Sequence, residues 1–466
     1  MSSVSTVAQW LPLHGLVTVL AVLFYVITSH VMHQRRQPAS AIAWILFILL
    51  LPYLALPAFL MFGSRKLERP PRVPALPPPP TTQRSDAWAI ETIVALGQPA
   101  PAAYRDLSLH ADGHEARDAL LHSIDAAERS IDLCTFILGR DELGETVLDR
   151  LCVKARAGVR VRLLLDGLGS LMARHPKLAR LTEAGGACTL FVPPLRSGLK
   201  GRTNLRDHRK MLVTDAELDS GRLWCGGRNL ASEYFDGAPG RPPWRDLSFD
   251  LRGALVAQAA ALFEHDWAFA NHRPMDLSAP APRDATGPTD GAQLIASGPD
   301  QRDDTVHALL VTAAYRARQR IVLVTPYFVP ESALLMALCL AARRGVAVDL
   351  LVPARSNHRL SDLARSRALR SLAKAGGRVW LLPGMQHAKL VVIDDVLALA
   401  GSANLDSRSL FLNYELMLAF HHAGDVRRFA AWFEHERATA RRYAATEPGL
   451  VRDVAEGMLL WLGFQL

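Results

Sequence analysis

The sequence HRKMLVTD at 208–215 recurs in altered form as HAKLVVID at 387–394, with the two histidines 179 residues apart. Both copies have the pattern HxKxxxxD, with apolar residues between the lysine and the aspartate. A single His-x-Lys triplet is common by chance, but the complete pattern at two matching points of a repeat is not. Short apolar runs predict buried β-strands, so each motif is expected to lead into a strand.

The sequence before each motif is also duplicated. Apolar segments at 126–137 and 158–166, separated by an amphipathic helix, precede the first motif. The segments 320–328 and 345–352 repeat this order before the second motif. In both repeats a glycine begins the second segment and is expected to end the helix in a left-handed conformation. Strands that alternate with helices predict an α/β fold with largely parallel sheets, in two similar halves.

The histidine and lysine of each motif are candidates for chemistry on a phosphate group. Residues two apart on a strand share a face, so His208 points the same way as Lys210, and His387 the same way as Lys389. Lysine ammonium groups donate to phosphate oxygens, and two imidazoles can supply a nucleophile and a proton donor. The two motifs together therefore favour a phosphate ester as the substrate.

Small-residue turns follow both motifs. The turn GSAN at 401–404 offers Ser402, Asn404 and backbone N–H groups as phosphate donors, and GGRN at 226–229 offers Asn229. A turn of this kind can bring backbone donors close to an oxyanion, and glycine permits the close approach. These side chains are the predicted phosphate-binding residues.

The aspartate that ends each motif has the opposite strand parity from the histidine and the lysine. Spacing alone therefore predicts that Asp215 and Asp394 are structural residues at strand ends, with only an indirect influence on catalysis. Aspartates at such positions can form turns at the ends of strands.

Each catalytic histidine needs an acceptor for its other ring nitrogen, so a carboxylate is expected beside it. Glu415 lies 28 residues after His387, and Asp246 lies 38 residues after His208. Each is the candidate orienting residue for the histidine that precedes it in its own half. Asp250 is an alternative to Asp246, and a solvated surface carboxylate is the other interpretation.

The N-terminal region, 1–69, is predicted to be a membrane anchor. Residues 10–32 and 41–62 contain no Asp, Glu, Lys or Arg, and each could cross roughly 30 Å of hydrocarbon as a helix. A buried core hairpin or one re-entrant segment is the alternative. More cations follow the second span than lie between the spans, which favours a cytoplasmic location for the rest of the chain. Seven prolines in 70–80 predict an extended linker over 70–84.

Composition bounds the rest of the chain. The 466 residues are 50% apolar, which excludes a disordered or fibrous protein, and the part after the anchor is predicted to form two domains, 85–275 and 276–466. A formal charge of +8 favours an anionic partner. The five cysteines are odd in number and form no CxxC pair, which argues for reduced, buried thiols and against a disulfide framework or a zinc site. No metal-site motif is present in the sequence.

The paired motifs, the GSAN turn and the internal repeat resemble the phospholipase D superfamily. The segments RRQPASAIAW at 35–44, TPYFVP at 325–330 and NLDSRS at 404–409 are similar to those of bacterial cardiolipin synthases. The resemblance implies two phospholipase D-like α/β domains related by a pseudo-twofold axis and preceded by a two-helix transmembrane hairpin in the bacterial inner membrane. It also groups Asp215 and Asp394 with the catalytic residues, and it implies no cofactor and no metal.

The reaction implied by the resemblance joins two phosphatidylglycerol molecules into cardiolipin and glycerol through a covalent phosphatidyl-histidine. His208 would be the nucleophile and His387 the acid and base, while the motif lysines and the two turn asparagines would hold the phosphate oxygens. Gly227 departs from the serine that the family usually has at its position. Phospholipids and the lipid bilayer are the expected partners.

Other functions share part of the pattern. A phospholipase D-type hydrolase, or a phosphatidyltransferase that uses another acceptor such as phosphatidylethanolamine, would need the same residues. A nuclease would suit the positive charge but not two membrane helices, so no nucleic acid is expected. A scaffold with a decayed site is disfavoured because both motifs are intact. The basic stretch at 196–206 either draws anionic headgroups or is a solvated loop. The oligomeric state is left open.

Overall fold

A computed structural model describes residues 2–31, 38–62, 87–173, 175–193, 204–238, 240–272, 288, 290–301, 303–450, 452–453 and 456–457. The predicted linker at 70–84 and the predicted domain boundary at 275–276 lie outside these residues.

The N-terminal region forms three helices, α1 (Ser2–Val31), α2 (Pro38–Leu50) and α3 (Pro52–Phe62). The second predicted span is therefore interrupted at Leu51, because Pro52 has no N–H and disfavours helical conformation in the residue before it. The helices share a small apolar core made of Ala21, Tyr25, Trp44, Ile48, Ala55 and Phe59. Counted over the residues whose side chains are described, no helix is both long and apolar enough to cross a bilayer.

The first half alternates strands and helices as the sequence predicts. Its elements are α4 (Trp88–Ala95), β1 (Tyr104–Leu109), α5 (Gly113–Ala126), β2 (Ser130–Thr135), α6 (Glu142–Arg156), β3 (Arg160–Asp166), α7 (Gly167–Ala173), α8 (Ala179–Glu183), β4 (Ala187–Phe191), β5 (Arg206–Asp207), β6 (Met211–Thr214), β7 (Arg222–Gly226), a 3-10 turn (Ser232–Tyr234), β8 (Ser248–Gly253) and α9 (Leu255–Ala270).

The second half follows the same plan. Its elements are β9 (Ala292–Ser297), α10 (Thr305–Arg316), β10 (Arg320–Val324), β11 (Phe328–Val329), α11 (Ser332–Arg343), β12 (Ala347–Pro353), α12 (Arg359–Lys374), β13 (Arg378–Leu382), β14 (Leu390–Ile393), β15 (Leu397–Gly401), β16 (Leu405–Asp406), α13 (Ser407–Phe411), β17 (Asn413–Phe420), α14 (Ala423–Arg437) and β18 (Arg441–Arg442).

The two main sheets have the same strand order. The first runs β1-β8-β7-β6-β2-β3-β4, and the second runs β9-β17-β15-β14-β10-β12-β13, with β18 added at its far edge. Within these orders only β2-β3-β4 and β10-β12-β13 are parallel. The prediction of largely parallel sheets was wrong, because β6 and β14 each lead through a hairpin into the next strand, and hairpin strands are antiparallel.

The glycines that end the matching helices behave as predicted. Gly158 follows α6 with φ +87°, and Gly345 follows α11 with φ +92°. Both lie in the left-handed region, where a side chain would be strained, and both lead directly into a parallel strand. The repeat seen in the sequence is therefore a repeat of local structure.

At the start of each motif, the backbone of one half pairs with the backbone of the other half. β5, which leads into the first motif, pairs in parallel with β17 of the second half, with Asn413 opposite Arg206. In the converse contact, Arg245 of the first half forms a parallel bridge with Gln386, which leads into the second motif. The largest apolar core also contains residues of both sheets, such as Phe249 and Phe420, whose ring centroids are 5.5 Å apart. The two halves therefore pack as one unit around the motifs.

Candidate active site

Each motif histidine is fixed by the backbone of the opposite half. The His208 N–H donates to the carbonyl of Tyr414 at 2.9 Å, and the His387 N–H donates to the carbonyl of Arg245 at 2.7 Å. The residue that follows each of these carbonyls is a candidate carboxylate, Glu415 or Asp246. These backbone hydrogen bonds between the halves thus place each imidazole against the carboxylate of the other half.

The orienting pairs are crossed between the halves. Nδ1 of His208 lies 3.0 Å from both carboxylate oxygens of Glu415, and Nδ1 of His387 lies 2.7 Å from Oδ2 of Asp246. The predicted pairing within each half was therefore wrong, because Glu415 lies on β17, which pairs with β5, and Asp246 follows Arg245, which bridges to Gln386. Asp250, the alternative, instead accepts from Arg222 at 2.7 Å.

Glu415 is fully buried and accepts three further side-chain hydrogen bonds. The hydroxyl of Ser402 donates at 2.5 Å, that of Ser409 at 2.7 Å and the amide of Asn413 at 3.3 Å. Burial raises the pKa of Glu415, but His208 and other nearby donors and charges outweigh it and leave the pKa below its usual value. Ser402 was predicted to bind phosphate, but its hydroxyl is engaged by this carboxylate and by the N–H of the residue after it.

Asp246 occupies the equivalent place with a shorter side chain. Its Oδ1 accepts from the N–H of Leu247 at 2.8 Å while Oδ2 contacts His387. A Cβ atom at Gly227 would lie 2.2 Å from Oδ1 of Asp246, far inside van der Waals contact. Gly227 stands where the second half has Ser402, and the Asp246 carboxylate occupies the space that a side chain at this position would take.

The two lysines lie against the histidines of their own motifs. Nζ of Lys210 donates to the carbonyl of His208 at 2.6 Å, and Nζ of Lys389 lies 2.9 Å from Nδ1 and 3.1 Å from Nε2 of His387. Burial lowers the pKa of Lys210 to about 8 and that of Lys389 to about 7. Both lysine side chains are shielded from water, so a bound anion would stabilise their protonated forms.

The two histidines belong to one electrostatic site. Burial lowers the pKa of His208 to about 4 and that of His387 to about 3. Further lowering of the pKa of His208 comes from Lys389, and of His387 from Lys210, so each lysine acts on the histidine of the other half. Both imidazoles are therefore neutral at pH 7 before substrate binds.

The turn asparagines are buried beside the motifs. The Asn229 amide donates to the hydroxyl of Tyr234 at 2.8 Å. The side-chain oxygens of Asn229 and Asn404 are both buried and, within the described part of the chain, neither has a hydrogen-bond partner. A buried acceptor left unpaired costs about 1–3 kcal/mol, which a donor group on a bound ligand would recover. Their role as phosphate ligands stays a prediction.

The motif aspartates lie outside the catalytic cluster. Asp215 accepts from the backbone N–H groups of Glu128, Arg129 and Ser130 at 2.7–2.8 Å. Asp394 accepts from the three equivalent N–H groups before β10 at 2.8–3.0 Å. The catalytic grouping that the resemblance implied is therefore corrected. Each aspartate ties the end of its motif strand to the start of a neighbouring strand, as strand parity indicates.

Several residues of the site carried no signal in the sequence analysis. Phe136 stacks edge-on against His208 at 5.2 Å, and Tyr234 packs edge-on against His387 at 5.1 Å. Arg209, which lies between the histidine and the lysine of the first motif, is fully buried. It forms an ion pair with Asp266 and donates to the carbonyl of Glu415 at 3.1 Å. Its position inside the motif was the only available signal. Over the described residues, no cluster of three or more His, Cys, Asp or Glu could hold a metal ion.

Comparison with known families agrees with this geometry. Residues 120–267 and 310–437 match the family described as "Cardiolipin synthase, PLD-like domain", and residues 17–64 match "Phospholipase_D-nuclease N-terminal". The chain belongs to the cardiolipin synthase PLD-like family. Among its family relatives, Cardiolipin synthase A of Pseudomonas aeruginosa is 32% identical over 462 residues, which cover 94% of this chain and 92% of that protein.

Two further comparisons fit the same family. Cardiolipin synthase 1 of Bacillus cereus is 31% identical over 432 residues, covering 86% of this chain and 84% of that protein. The crystal structure of phosphatidylserine synthase from Haemophilus influenzae superposes with a TM-score of 0.60 at 14% identity, covering 82% of this chain and 100% of the other. At this identity the structural likeness supports the fold alone.

Proposed function

We propose that this chain is a cardiolipin synthase that transfers a phosphatidyl group from one phosphatidylglycerol to the hydroxyl of another, releasing glycerol. The observation that carries the proposal is the pair of crossed histidine–carboxylate contacts around two buried lysines. Two oriented imidazoles and two ammonium groups provide a nucleophile, a proton carrier and charge stabilisation for a phosphodiester. The names of the relatives point to the same reaction.

In the first step Nε2 of His208 attacks the phosphorus of the donor lipid. The new P–N bond forms as the bond from phosphorus to the glycerol oxygen breaks, and His387 delivers a proton to that oxygen. The products of this step are phosphatidyl-His208 and free glycerol. Glu415 holds Nδ1–H of His208, which leaves Nε2 as the attacking nitrogen.

In the second step the hydroxyl of the acceptor phosphatidylglycerol attacks the same phosphorus. His387, now without its proton, takes the hydroxyl proton as the P–N bond to His208 breaks, which releases cardiolipin. The reaction therefore consumes two phosphatidylglycerols and yields one cardiolipin and one glycerol. Lys210 and Lys389 would hold the non-bridging oxygens, and Asn229 and Asn404 would contribute polar groups beside them.

His387 can act as the acid only after it has gained a proton, and binding of the substrate would allow this. Lys389 lies against His387, so burial and its positive charge keep the imidazole neutral in the free protein. A phosphodiester between the lysines would cancel this charge, and the ionised Asp246 would then favour a proton on His387. This coupling would make His387 a proton donor only when a phosphate occupies the site.

We further propose that α1–α3 anchor the protein in the bacterial inner membrane as a hairpin, with both catalytic halves in the cytoplasm. The region carries many exposed large apolar side chains, which water would disfavour. They are Leu16, Val19, Leu20, Leu23, Phe24, Val26, Ile27, Ile42, Leu46, Leu49, Leu50, Leu51, Tyr53 and Leu54. The proposed catalytic domains are 85–275 and 276–466, related by a pseudo-twofold axis through the crossed pairs.

The test uses the purified full-length protein and phosphatidylglycerol in mixed micelles. We expect cardiolipin and glycerol in equal amounts, and neither product from the His208→Ala variant. Phosphatidic acid and glycerol without cardiolipin would instead identify a hydrolase, and a product formed only when phosphatidylethanolamine is added would identify another acceptor. Either of these outcomes contradicts the proposed reaction.

A further inference from the structure

Arg206 is a buried arginine beside the site whose guanidinium is only partly hydrogen-bonded, with one terminal nitrogen donating to the carbonyl of Leu205. It is 7% exposed, and its Nε is buried without a hydrogen-bond partner in the part of the chain that the structure describes. Because Arg206 lies two residues before His208 on an extended segment, the two side chains share a face. On β17 the residue opposite Arg206 is Asn413, whose amide donates to Glu415. The guanidinium therefore lies on the side of the sheet that carries the nucleophile.

Arg408 of the second half lies near the same place. Its guanidinium donates to the side-chain and backbone oxygens of Asn204, at 3.1 Å each. The next residue, Ser409, donates to Glu415. Asn204 is two residues before Arg206, and Glu415 is the carboxylate that contacts His208, so Arg408 reaches the segment that carries Arg206 and the first motif. In agreement, the charge of Arg206 adds to burial in lowering the pKa of Arg408.

The neighbouring acids do not pair with these arginines. Over the described residues, neither Arg206 nor Arg408 has a carboxylate oxygen within 4.0 Å. Asp166 accepts from three backbone N–H groups instead, and Asp406 accepts from the backbone N–H of Ser409. The charge of Asp166 acts on both arginines and that of Asp406 on Arg408, but neither acid forms a close ion pair with them. A shielded guanidinium without a close ion pair is unfavourable, so the free donors of buried Arg206 and partly buried Arg408 indicate a place for an anion from outside the chain.

We propose that Arg206 and Arg408 form a second phosphate subsite, which holds the phosphodiester of the acceptor lipid while its glycerol hydroxyl attacks the intermediate on His208. The inference rests on the proposed function and names the acceptor class. A phosphatidylglycerol acceptor carries its own phosphate on the same glycerol that bears the attacking hydroxyl, whereas water and glycerol carry none.

Arginine suits this task better than lysine does. Its planar fork donates two parallel hydrogen bonds to a phosphate, which fixes orientation as well as position. With the acceptor phosphate held beside the His208–Glu415 pair, the hydroxyl would be presented to phosphorus in a defined geometry. The arginines would touch only the acceptor, so they would favour transfer to a lipid over transfer to water.

The experiment compares three acceptors with phosphatidylglycerol as the donor in every case. Labelled glycerol carries no phosphate, labelled glycerol 3-phosphate carries a free phosphate, and phosphatidylglycerol carries a lipid phosphate. For Arg206→Gln and for Arg408→Gln, we expect the rate of cardiolipin formation relative to glycerol exchange to fall about tenfold or more, as loss of a charge-assisted hydrogen bond to phosphate would produce. Arg206→Lys should fall between the wild type and Arg206→Gln.

Arg370→Gln is the matched control. Arg370, on α12, is also a 7% exposed arginine. It forms an ion pair with Glu456 at 2.6 Å and is not part of the proposed subsite. Its ratio of cardiolipin formation to glycerol exchange should equal that of the wild type, and thermal unfolding of each variant identifies any that fail to fold.

The outcomes separate the two sources of phosphate. A fall with phosphatidylglycerol alone supports a subsite for a lipid phosphate, and a fall with glycerol 3-phosphate as well supports recognition of phosphate from either source. Equal losses with all three acceptors in folded variants, or no loss with any, would overturn the inference and leave the proposed reaction standing. Wild-type protein that makes no cardiolipin would instead overturn the proposed function.

Discussion

In both halves the motif histidine contacts a carboxylate, but the carboxylate and the turn residue beside it differ between the halves. His208 contacts Glu415, a longer carboxylate that is supported by the hydroxyl of Ser402. His387 contacts Asp246, a shorter carboxylate that leaves no room for a side chain at Gly227. The comparison teaches that carboxylate length and the residue in the turn depend on each other, so the two copies of the motif can diverge in sequence and keep one geometry.

The two carboxylates also differ in the number of hydrogen bonds that they accept. Glu415 accepts from two hydroxyl groups and one amide in addition to His208. Asp246 accepts from a backbone N–H and contacts His387. Donors around a carboxylate spread its charge and weaken its hold on a neighbouring imidazolium. Asp246 therefore has fewer competing donors than Glu415. In the free protein, burial and the charge of Lys389 nevertheless hold the pKa of His387 at about 3, below the value of about 4 for His208, so His387 can act as the acid only once a phosphate cancels the lysine charge.

The largest expected effect separates the roles of the two histidines. His208→Ala and His387→Ala should each lower cardiolipin formation by about 10⁴-fold or more, as removal of members of a catalytic unit does. A phosphatidyl ester of nitrophenol needs no acid to release its leaving group. With it, we expect a burst of nitrophenolate from His387→Ala and none from His208→Ala, measured by absorbance in a stopped-flow instrument. A burst from His208→Ala alone would reverse the two roles.

The next effect concerns the crossed carboxylates. Glu415→Gln and Asp246→Asn keep the shape of each side chain but remove the acceptor that fixes the histidine tautomer. Loss of such an acceptor lowers kcat by about 10²–10⁴-fold in related catalytic units. Asp250→Asn is the control in the first half, because Asp250 pairs with Arg222 and lies 3.4 Å from His110, and it contacts neither motif histidine. Equal losses in Asp250→Asn and Asp246→Asn would contradict the crossed assignment.

A moderate effect is expected from the turn that distinguishes the halves. Gly227→Ser places a Cβ 2.2 Å from the present position of Asp246 Oδ1, so it should displace the carboxylate and lower kcat by about 10–100-fold. Ser402→Gly removes one of several hydrogen bonds to Glu415, together with the acceptor of the Leu416 N–H, and should cost about tenfold or less. Combining Gly227→Ser with Asp246→Glu should restore part of the activity. A Gly227→Ser enzyme as active as the wild type would show that the two positions are independent.

A smaller effect is the pH dependence of the lysines. Burial lowers the pKa of Lys389 to about 7, and only the protonated lysine attracts phosphate. As pH rises through 7 the ammonium is lost, so kcat/KM should fall by up to about tenfold for each pH unit above that pKa. Lys389→Arg keeps its charge and should move this limb to higher pH, and an unmoved limb would assign it to another group.

The smallest effect on catalysis is expected at the motif aspartates. Asp215→Ala and Asp394→Ala should change kcat by less than about threefold, because each side chain binds backbone N–H groups away from the site. Each should instead lower Tm by several degrees, since a few kcal/mol of backbone hydrogen bonding is lost. Loss of activity in a variant with an unchanged Tm would return these residues to the catalytic group.

The sequence predicted the repeat and the motif residues, because apolar strands and their spacing are local properties. Strand parity separated His208 and Lys210 from Asp215 correctly, and the glycine caps followed from the helix ends. The crossing of the carboxylates could not be predicted. It depends on the parallel pairing of β5 with β17, and β5 has two residues, too few to carry a pattern.

Buried arginines were also beyond sequence analysis. Arg206 stood in a basic stretch whose alternatives were attraction of headgroups and a solvated loop. The structure buries this side chain, which argues against full solvation at that position. Charge alone could not separate the alternatives, since Arg206 is brought into the fold by the pairing of β5 with β17, which lies about two hundred residues away in the chain.

The most direct test of the central claim, that the crossed pairs form one site, is a crystal structure of the full-length protein with vanadate. Vanadate adopts the geometry of a phosphoryl group during transfer, so it should bind where phosphorus reacts. We expect a single vanadate in contact with His208 and His387, with Lys210 and Lys389 on its oxygens. A vanadate held by the histidine and lysine of one motif alone, or one at each motif, would contradict the account.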